Sequence, residues 1–518
     1  MPPGRRAVRD LLLLALGAFF YTLASPPYEW AGAGWLALTP LFLVLKDKTP
    51  GTAFLSGLLY GVLFCAGIAY WVYFAVSAYF PFFFPFDLLF TLLSYSVFVG
   101  AYTGLAACLC CLLMRSGRPM LCWGGIPAVW VSSEFARSSL FSGFSWELLG
   151  YTQYRYLTLI QIADITGVYG LSFLMALSGY VAAETVVFLR RRKEQEGSAR
   201  LPWPALGFLA GGIMLVLLYG TLRLRHDSLL PSGPSVAVAL VEGNVPSAQR
   251  WQRVHYASNL LKYISLTRRG TEGAQPDLVV WPEFATAFYL DREPVLQTQL
   301  GWLTQQANAF LLVGAPRMEE VAGGTRYYNS AYLLSPEGKL VDVYDKMRLL
   351  PFAEYRPLAL PTLLNHSPEY PSEFTAGRRS TVFSLPKGTF GVTICYEATY
   401  PQLARQLVRG GAQFLINISN DTWLVEKGGA AAAQHFSMAV FRAVENKRYL
   451  VRVATAGVSG FVDPTGHPYH LSTKEEGVVL GEVVPRQELT VYTQYGDWFA
   501  LACVSFALVA LVIVRQRS

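Results

Sequence analysis

The sequence predicts a polytopic α-helical membrane region joined to a folded α/β domain. Of its 518 residues, 53% are hydrophobic and only 15% are charged, and the mean hydropathy is +0.33. The apolar residues form long runs near both ends of the chain, which excludes an ordinary soluble enzyme. We therefore predict an N-terminal transmembrane region (1–226), an α/β domain (233–487) and a final transmembrane helix (496–518).

Eight apolar runs are predicted to cross a membrane, seven before the α/β domain and one after it. Some are shorter than the roughly 20 residues that a helical span needs, so those must include neighbouring residues. The first run starts with basic residues and ends in small ones (LAS, 23–25), which is also compatible with a cleaved signal peptide. The eight runs are 11–24, 35–45, 53–76, 88–113, 121–135, 157–189, 205–219 and 498–514.

The lysines and arginines indicate how the chain crosses the membrane. They cluster at the N-terminus, after the last run, and in alternate loops at 46–48, 115–118 and 190–200, whereas the loop at 79–86 is rich in aromatic residues and proline. Cytoplasmic loops are enriched in Lys and Arg, so the pattern predicts an α/β domain outside the cytoplasm. Topology therefore explains the net charge of +7, and we predict no nucleic-acid partner.

Residues 233–487 read as a globular α/β domain. Helix-like stretches at 402–409 and 435–447 alternate with strand-like runs bounded by Pro and Gly. The segment has no P-loop, GxGxxG or CxxC motif, so we predict neither a cofactor nor a metal. The strand-like runs are 236–245, 278–284, 310–316, 327–335, 391–397, 414–420 and 449–457.

Cys395 is the only one of seven cysteines within this α/β segment; the other six lie in or beside the apolar runs. β-branched and aromatic residues precede it, and the polar Tyr396 and Glu397 follow, which predicts a thiol at the end of a buried strand. A nucleophile is commonly presented at such a position. The alternative is a small buried core residue.

Two further candidates also follow strand-like runs. Glu283 comes after the run 278–281 and Pro282, and a partly desolvated carboxylate there can act as a general base. The alternative is an exposed loop glutamate. Lys346 follows a second predicted strand (340–344) and precedes an apolar stretch that leads to Glu354. A merely solvated lysine fits that apolar surrounding poorly.

A carboxylate, an ammonium group and a thiol together suit acyl transfer. The carboxylate takes the thiol proton, the thiolate attacks a carbonyl, and the ammonium stabilises the oxyanion that develops. Of the six histidines, His435 is the one alternative base, but its position on a predicted helix favours a packing or surface role.

The motifs that contain these residues resemble the nitrilase superfamily. They are WPE at 281–283, YDKMRLLPFAEY around Lys346, and CYE at 395–397. The resemblance implies an αββα sandwich for the α/β domain, with Glu283 as base, Lys346 as oxyanion stabiliser and Cys395 as nucleophile. The triad specifies a mechanism rather than a substrate. The membrane spans around the domain resemble the membrane-bound branch of that superfamily, the apolipoprotein N-acyltransferases, over essentially the whole chain.

The same resemblance implies four supporting residues. Glu354, eight residues after the lysine, matches an additional active-site glutamate, and Tyr396 and Glu397 match the two residues that support the nucleophile. Trp251 falls where the family has a tryptophan on a mobile arm near the substrate entrance. This last match is looser, and a core or membrane-surface tryptophan is the alternative.

The resemblance also implies a reaction. A fatty acyl chain would pass from a membrane phospholipid, through a thioester on Cys395, to the N-terminal α-amine of an S-diacylglyceryl-cysteine on an apolipoprotein, the last step of lipoprotein maturation. We expect a monomer in the bacterial inner membrane, with the catalytic domain on the periplasmic side. One alternative is a membrane-tethered nitrilase-like amidase acting on a small amide, which leaves eight spans unexplained. Another is a non-catalytic sensor or scaffold, which leaves the Glu-Lys-Cys combination unexplained.

Overall fold

The computed structural model describes residues 3–79, 85–141, 143–194, 201–228, 233–351, 353–355, 373–422, 429–473 and 476–516. The chain divides into two compact units. One consists of Met1–Ser228 together with Tyr495–Ser518, and the other of Leu229–Gln494. Most of the aromatic loop predicted at 79–86 lies outside the described residues.

The described secondary structure of the first unit consists of helices and turns, without strands. Six of its helical segments are long and apolar enough to cross a membrane: Gly4–Ala24, Pro50–Ile68, Asp87–Arg115, Tyr169–Lys193, Trp203–Asp227 and Trp498–Arg515. Its helices are α1 (Pro3–Ala24), α2 (Ala31–Gly34), α3 (Thr39–Leu45), α4 (Pro50–Ile68), α5 (Trp71–Tyr79), α6 (Asp87–Tyr95), a π-helical turn (Ser96–Gly100), α7 (Ala101–Arg115), α8 (Pro119–Ser139), a 3₁₀ turn (Leu149–Gln153), α9 (Leu157–Ile160), α10 (Ala163–Thr166), α11 (Tyr169–Lys193) and α12 (Trp203–Ser228), with a last helix at Trp498–Arg515.

Two of the eight predicted spans are not among these six. The run 35–45 begins just after α2, of 4 residues, and ends with α3, of 7 residues. Both helices are too short to cross a bilayer. The run 121–135 lies in α8, whose 21 residues suffice in length, but α8 carries the buried charged residues Glu134 and Arg137. Length and apolar character therefore support fewer spans than the sequence pattern predicts.

Glycines let α4 and α7 pack closely. A Cβ atom on Gly57 would lie 2.5 Å from the carbonyl oxygen of Thr103, and one on Gly61 would lie 2.8 Å from Cα of Gly100. The Thr103 hydroxyl uses this proximity to donate a 2.8 Å hydrogen bond to the Gly57 carbonyl. Within lipid there is no hydrophobic driving force between helices. Small residues instead let the helix backbones approach closely, so that van der Waals packing and hydrogen bonds hold the helices together.

The second unit contains two six-stranded sheets within its described residues. Their strand orders are β12-β1-β2-β3-β4-β5 and β11-β10-β9-β8-β7-β6. The strands are β1 (Val236–Glu242), β2 (Leu278–Val280), β3 (Phe310–Val321), β4 (Gly324–Leu334), β5 (Leu340–Asp345), β6 (Val382–Leu385), β7 (Gly388–Ile394), β8 (Phe414–Ser419), β9 (Leu450–Ala454), β10 (Ser459–Val462), β11 (Pro468–Ser472) and β12 (Gly477–Val483).

Helices cover the outer face of each sheet. The core beside the first sheet takes residues from the helices Tyr256–Thr271 and Pro294–Ala307, and the helices Pro401–Arg409 and Ala430–Asn446 pack against the second sheet. The inner faces meet closely, since a Cβ atom on Gly481 would lie 2.5 Å from the Phe461 ring. The expected αββα sandwich is confirmed. The remaining short helices are Ser247–Arg250, Arg253–His255, Leu290–Arg292, Cys395–Thr399 and Val491–Tyr495.

Parallel strands lie at the centre of both sheets. β2 is parallel to β1 and β3, and β8 is parallel to β7 and β9. Parallel strands in such a sandwich are buried on both faces and are therefore almost wholly apolar. Polar side chains appear where the strands end, and both Glu283 and Cys395 lie just past such ends.

Candidate active site

Glu283 is held at a sharp turn after β2. The next residue, Phe284, has a φ of 51°, in the left-handed region that is costly for a bulky side chain. Gly314 on the neighbouring strand makes room for the turn, because a Cβ atom there would lie 2.4 Å from the Pro282 carbonyl oxygen and 2.7 Å from Cα of Glu283. The carboxylate is directed into the protein and is only 1% exposed.

Cys395 lies at the end of β7 in a second strained turn. Its φ is 51°, and it begins the short 3₁₀ helix Cys395–Thr399. The carboxylate of Glu397 stabilises this turn by accepting a 2.7 Å hydrogen bond from the Ile394 amide. It also accepts hydrogen bonds from the amides of Met347 (2.7 Å) and Arg348 (2.9 Å). Glu397 therefore connects the nucleophile turn to the loop that follows Lys346.

Lys346 follows β5, and its backbone amide donates a 2.8 Å hydrogen bond to the Asn329 carbonyl. Its Nζ lies 2.9 Å from Oε1 of Glu354 and 3.3 Å from Oε1 of Glu283. The Asn329 side-chain amide contacts the same two oxygens, at 2.6 Å and 2.8 Å. One ammonium and one amide group thus separate two buried carboxylates that would otherwise repel each other.

Burial and neighbouring charges shift the pKa values of all three groups. Burial alone would lower the pKa of Lys346, but the carboxylates of Glu283 and Glu354 raise it well above its ordinary value, so the ammonium is permanent. Burial raises the pKa of Glu283, with Glu354 acting in the same direction against Lys346. Burial also raises the pKa of the Cys395 thiol, and the nearby charge of Glu283 adds to this.

These shifts describe a thiol that needs a base. A thiol with a raised pKa is protonated at neutral pH, and only the thiolate is a strong nucleophile. Glu283 accepts from Lys346 and Asn329 on one oxygen and from the Asn420 amide at 2.7 Å on the other, which stabilises its ionised form. The arrangement therefore combines a carboxylate of raised pKa with a protonated thiol, and a fixed positive charge lies between that carboxylate and Glu354.

Glu397 is buried, and burial raises its pKa to about 7. The Tyr344 hydroxyl donates to both of its oxygens, at 2.8 and 2.9 Å. Its two oxygens also accept hydrogen bonds from the turn at Cys395 and from the loop after Lys346. Glu354 is held in a similar way by Lys346, Asn329 and the Leu350 amide at 2.7 Å.

The remaining expected site residues lie close to these groups. Tyr396 is buried, and its ring packs edge-on against Tyr400 at 5.2 Å between centroids. Trp251 is half-buried, and its ring lies 5.0 Å from that of Phe284, directly after the base. The structure thus brings together Glu283, Lys346, Cys395, Glu354, Tyr396, Glu397 and Trp251 in one region of the domain; their catalytic and binding roles stay predictions.

Of the two roles that the sequence favours for His435, packing fits the structure and a surface position is wrong, because the residue is buried. Its Nε2 lies 2.9 Å from the backbone carbonyl oxygen of Cys395. The alternative of an exposed loop glutamate is likewise wrong for Glu283, which is fully enclosed.

The sequence does not single out two residues of the site, Asn329 and Asn420. Asn329 interrupts the apolar run of β4, and a buried polar residue inside a strand is the feature that could have revealed it. Asn420 directly follows β8, which is the same strand-end position that identified Glu283 and Cys395. Within the described ranges, no group of three or more His, Cys, Asp or Glu residues could hold a metal ion.

Comparison with known proteins identifies the family. The model described as "Apolipoprotein N-acyltransferase N-terminal domain" matches residues 17–181, and the "Carbon-nitrogen hydrolase" model matches residues 237–491. The apolipoprotein N-acyltransferase of Geobacter metallireducens is 35% identical over 517 residues, 98% of this chain and 96% of the relative. The chain belongs to the apolipoprotein N-acyltransferase family. The relative from Azotobacter vinelandii is 32% identical over 518 residues, covering 98% of this chain and 95% of that protein.

Membership of this family makes the protein a multi-pass membrane acyltransferase with a nitrilase-like domain, as predicted. Among solved structures, Saccharomyces cerevisiae Nit3, a nitrilase-superfamily member, shares 24% identity with a TM-score of 0.38, covering 49% of this chain and 92% of that one. An amidase from Nesterenkonia sp. shares 18% identity with a TM-score of 0.36, covering 50% and 94%.

The raised pKa of the Cys395 thiol predicts slow alkylation at neutral pH. Only the thiolate reacts, so we expect the rate with iodoacetamide to keep rising as the pH passes the ordinary thiol value of 9.0. Glu283→Gln removes a negative charge and should accelerate alkylation at about pH 8, whereas Lys346→Met removes a positive charge and should slow it. Mass spectrometry of the Cys395 peptide across a pH series measures these rates. A plateau reached below about pH 7 would instead indicate a preformed thiolate.

Proposed function

We propose that this enzyme transfers a fatty acyl chain from a membrane phospholipid to the N-terminal α-amine of S-diacylglyceryl-cysteine on an apolipoprotein. The acyl chain is carried as a thioester on Cys395. The observation that carries the proposal is the buried Lys346 ammonium beside Glu283 and near Cys395, in a chain that belongs to this family along nearly its whole length.

The first half of the reaction forms the thioester. Glu283 takes the proton of the Cys395 thiol, and the sulfur forms a bond to the ester carbonyl carbon of the phospholipid. The charge that develops on the carbonyl oxygen is stabilised by Lys346, whose pKa keeps it protonated. Collapse of this intermediate breaks the ester C–O bond. Glu283 returns the proton to the leaving alkoxide, so a lysophospholipid departs.

The second half forms the amide. The neutral α-amine of the acceptor attacks the thioester carbonyl while Glu283 removes its proton. Lys346 stabilises the oxyanion again, the C–S bond breaks, and the proton passes from Glu283 to the sulfur. Thioesters are more reactive toward amines than oxygen esters are, which suits Cys395 to making an amide.

The enclosure of the site favours transfer over hydrolysis. Glu283, Lys346 and Glu354 are each 1% exposed, and a dry site strengthens the electrostatic effect of the ammonium while keeping water from the thioester. Both proposed substrates carry acyl chains, so a membrane holds them at high local concentration. Each copy of the chain contains the whole Glu-Lys-Cys set, so a monomer is sufficient.

The supporting residues receive roles from their contacts. Glu354 keeps Lys346 in place through their 2.9 Å contact, and Glu397 holds the turn at Cys395. Tyr396 packs beside that turn. Trp251 packs against Phe284 next to the base, a position suited to contact with an entering acyl chain.

We further propose that residues 233–487 form the catalytic domain on the periplasmic side of the bacterial inner membrane, between spans in 1–226 and 496–518. Five of the six candidate spans precede this domain, whereas the sequence pattern gives seven. Both numbers are odd, which supports a domain on the side opposite the basic N-terminus. Arg190, Arg191, Arg192 and Lys193 at the end of α11 fit the cytoplasmic side.

A membrane-tethered amidase that acts on a small amide would use the same three residues. It leaves the multiple membrane spans without a purpose, because a single anchor would be enough. The family model matched at residues 17–181 also favours the acyltransferase.

The reaction is tested by supplying the purified enzyme with a phospholipid that carries a labelled acyl chain and a diacylated lipopeptide with a free α-amine. We expect the label on the lipopeptide amine, and none on a matched lipopeptide with an acetylated amine. Glu283→Gln and Lys346→Met should each lower the rate by about 100-fold to 1000-fold, because each loses an interaction made with the transition state. Ammonia release from a small amide without labelled lipopeptide would support the amidase instead.

The orientation is tested with a reporter enzyme that is active only outside the cytoplasm. Fusion after Lys193 should give an inactive reporter, and fusion after Gly233 an active one, because α12 lies between the two positions. The reverse pattern would contradict the periplasmic placement. Immunoblotting for equal amounts of both fusions controls for expression.

A further inference from the structure

A buried polar cluster lies directly beneath the nucleophile turn, and the proposed reaction steps do not use it. It consists of Asp421, which follows β8, His435 on the helix Ala430–Asn446, and Arg452 on β9. Nη2 of Arg452 lies 2.5 Å from Oδ2 of Asp421 and 3.1 Å from Nδ1 of His435. All three side chains are fully buried.

This cluster contacts the backbone carbonyl of Cys395. His435 Nε2 lies 2.9 Å from the Cys395 carbonyl oxygen, and the side-chain amide of Asn417 lies 3.4 Å from the same atom. A carbonyl oxygen only accepts, so His435 carries its proton on Nε2 and donates. Nδ1 is then free of a proton and can accept from Arg452.

The charges of the cluster keep His435 in this neutral form. Burial and the charge of Arg452 lower the pKa of His435, while Asp421 acts in the opposite direction. Burial would raise the pKa of Asp421, but the charge of Arg452 lowers it below its ordinary value, so the carboxylate stays ionised. The Ser419 hydroxyl fixes it further with a 2.6 Å hydrogen bond.

The carbonyl of Cys395 needs such a partner. The residue has a φ of 51°, a conformation that persists in a non-glycine residue only when its surroundings hold it. The peptide group is planar, so fixing the carbonyl oxygen also fixes the Tyr396 N–H, which points the opposite way. The amide after a nucleophile at a strand-to-helix turn is the kind of donor that stabilises an oxyanion.

We propose that His435 is a positioning residue for the acyl transfer: it holds the Cys395 carbonyl so that the thiol and the Tyr396 amide keep the directions that attack requires. Asp421 and Arg452 orient its ring. The proposal rests on the covalent step of the proposed function, and it assigns His435 no proton transfer with the substrate. Its geometry argues against a role as thiol base, because Nε2 is occupied by the backbone and Nδ1 faces Arg452 and Asp421.

The test compares three substitutions at His435 with a control on the same helix. His435→Gln keeps a side-chain N–H donor, His435→Met fills similar space without one, and His435→Ala removes both. Val440→Ala is the control, because Val440 is equally buried and apolar and has no polar atom to offer. Initial rates of acyl-enzyme formation are measured over a range of phospholipid concentrations, together with the thermal unfolding temperature of each variant.

We expect His435→Ala and His435→Met to lower kcat by about 10-fold to 100-fold with KM little changed, since a misdirected oxyanion donor acts on the transition state. His435→Gln should recover about tenfold of the loss. Val440→Ala should lower the unfolding temperature yet keep kcat within about threefold. If His435→Ala does not fold, the comparison of kcat between His435→Gln and His435→Met tests the proposal. Equal kcat in those two, or a kcat near the parental value in His435→Met, would overturn the proposal.

Alkylation of Cys395 by iodoacetamide at fixed pH separates this proposal from the lipid chemistry, because alkylation needs no lipid. If the parent enzyme transferred no acyl chain but His435→Met still alkylated several-fold more slowly than His435→Gln, the proposed function would fail and the positioning role would stand. Identical alkylation rates in His435→Met and His435→Gln, together with identical kcat values, would contradict the positioning role and leave the proposed function intact.

Discussion

The buried Lys346 ammonium is the interaction on which the site depends. Two carboxylates, Glu283 and Glu354, approach it at 3.3 Å and 2.9 Å. Burying either carboxylate without a partner costs several kcal/mol, of the order known for broken buried ion pairs (about 3 to 5 kcal/mol). The carboxylates therefore need Lys346, and Lys346 needs them, because burial alone would lower its pKa. Asn329 completes the set by donating to both carboxylates. The same electrostatic balance that lets these groups be buried also gives a carboxylate of raised pKa and a permanent cation, the two groups that the proposed mechanism uses.

The fold builds this site at the ends of strands, where two turns have strained backbone conformations. Parallel strands from two sheets direct Glu283 and Cys395 toward the interior, and the residues at both turns adopt left-handed backbone conformations, Phe284 after the base and Cys395 itself. Such conformations are retained because neighbouring groups over-determine them. Gly314 makes room at one turn, and the Glu397 carboxylate ties the other to the loop after Lys346. The rigidity of the sandwich is thereby used to hold reactive groups in place.

The sequence predicts the two-part architecture and the placement of the three main residues after strands, because a strand buried on both faces appears as a continuous apolar run that ends visibly. It does not reveal long-range partners. Asn329 has no local feature that connects it to Glu283, 46 residues away. The environment of His435 is equally hidden, because nearly every residue of its helix is buried and periodicity does not say which neighbour each one meets. The run 121–135 does lie in a helix, but the sequence does not show that Glu134 and Arg137 of that helix find partners inside the unit.

The proposed mechanism depends on Cys395 carrying the acyl chain as a thioester. Its most direct test is the intact mass of the purified protein after incubation with phospholipid alone, before and after treatment with neutral hydroxylamine, which cleaves thioesters. We expect an added mass of one acyl chain that hydroxylamine removes and that Cys395→Ser does not form in hydroxylamine-labile form. A parent protein that transfers acyl chains only when both substrates are present, and never shows such an adduct, would contradict it.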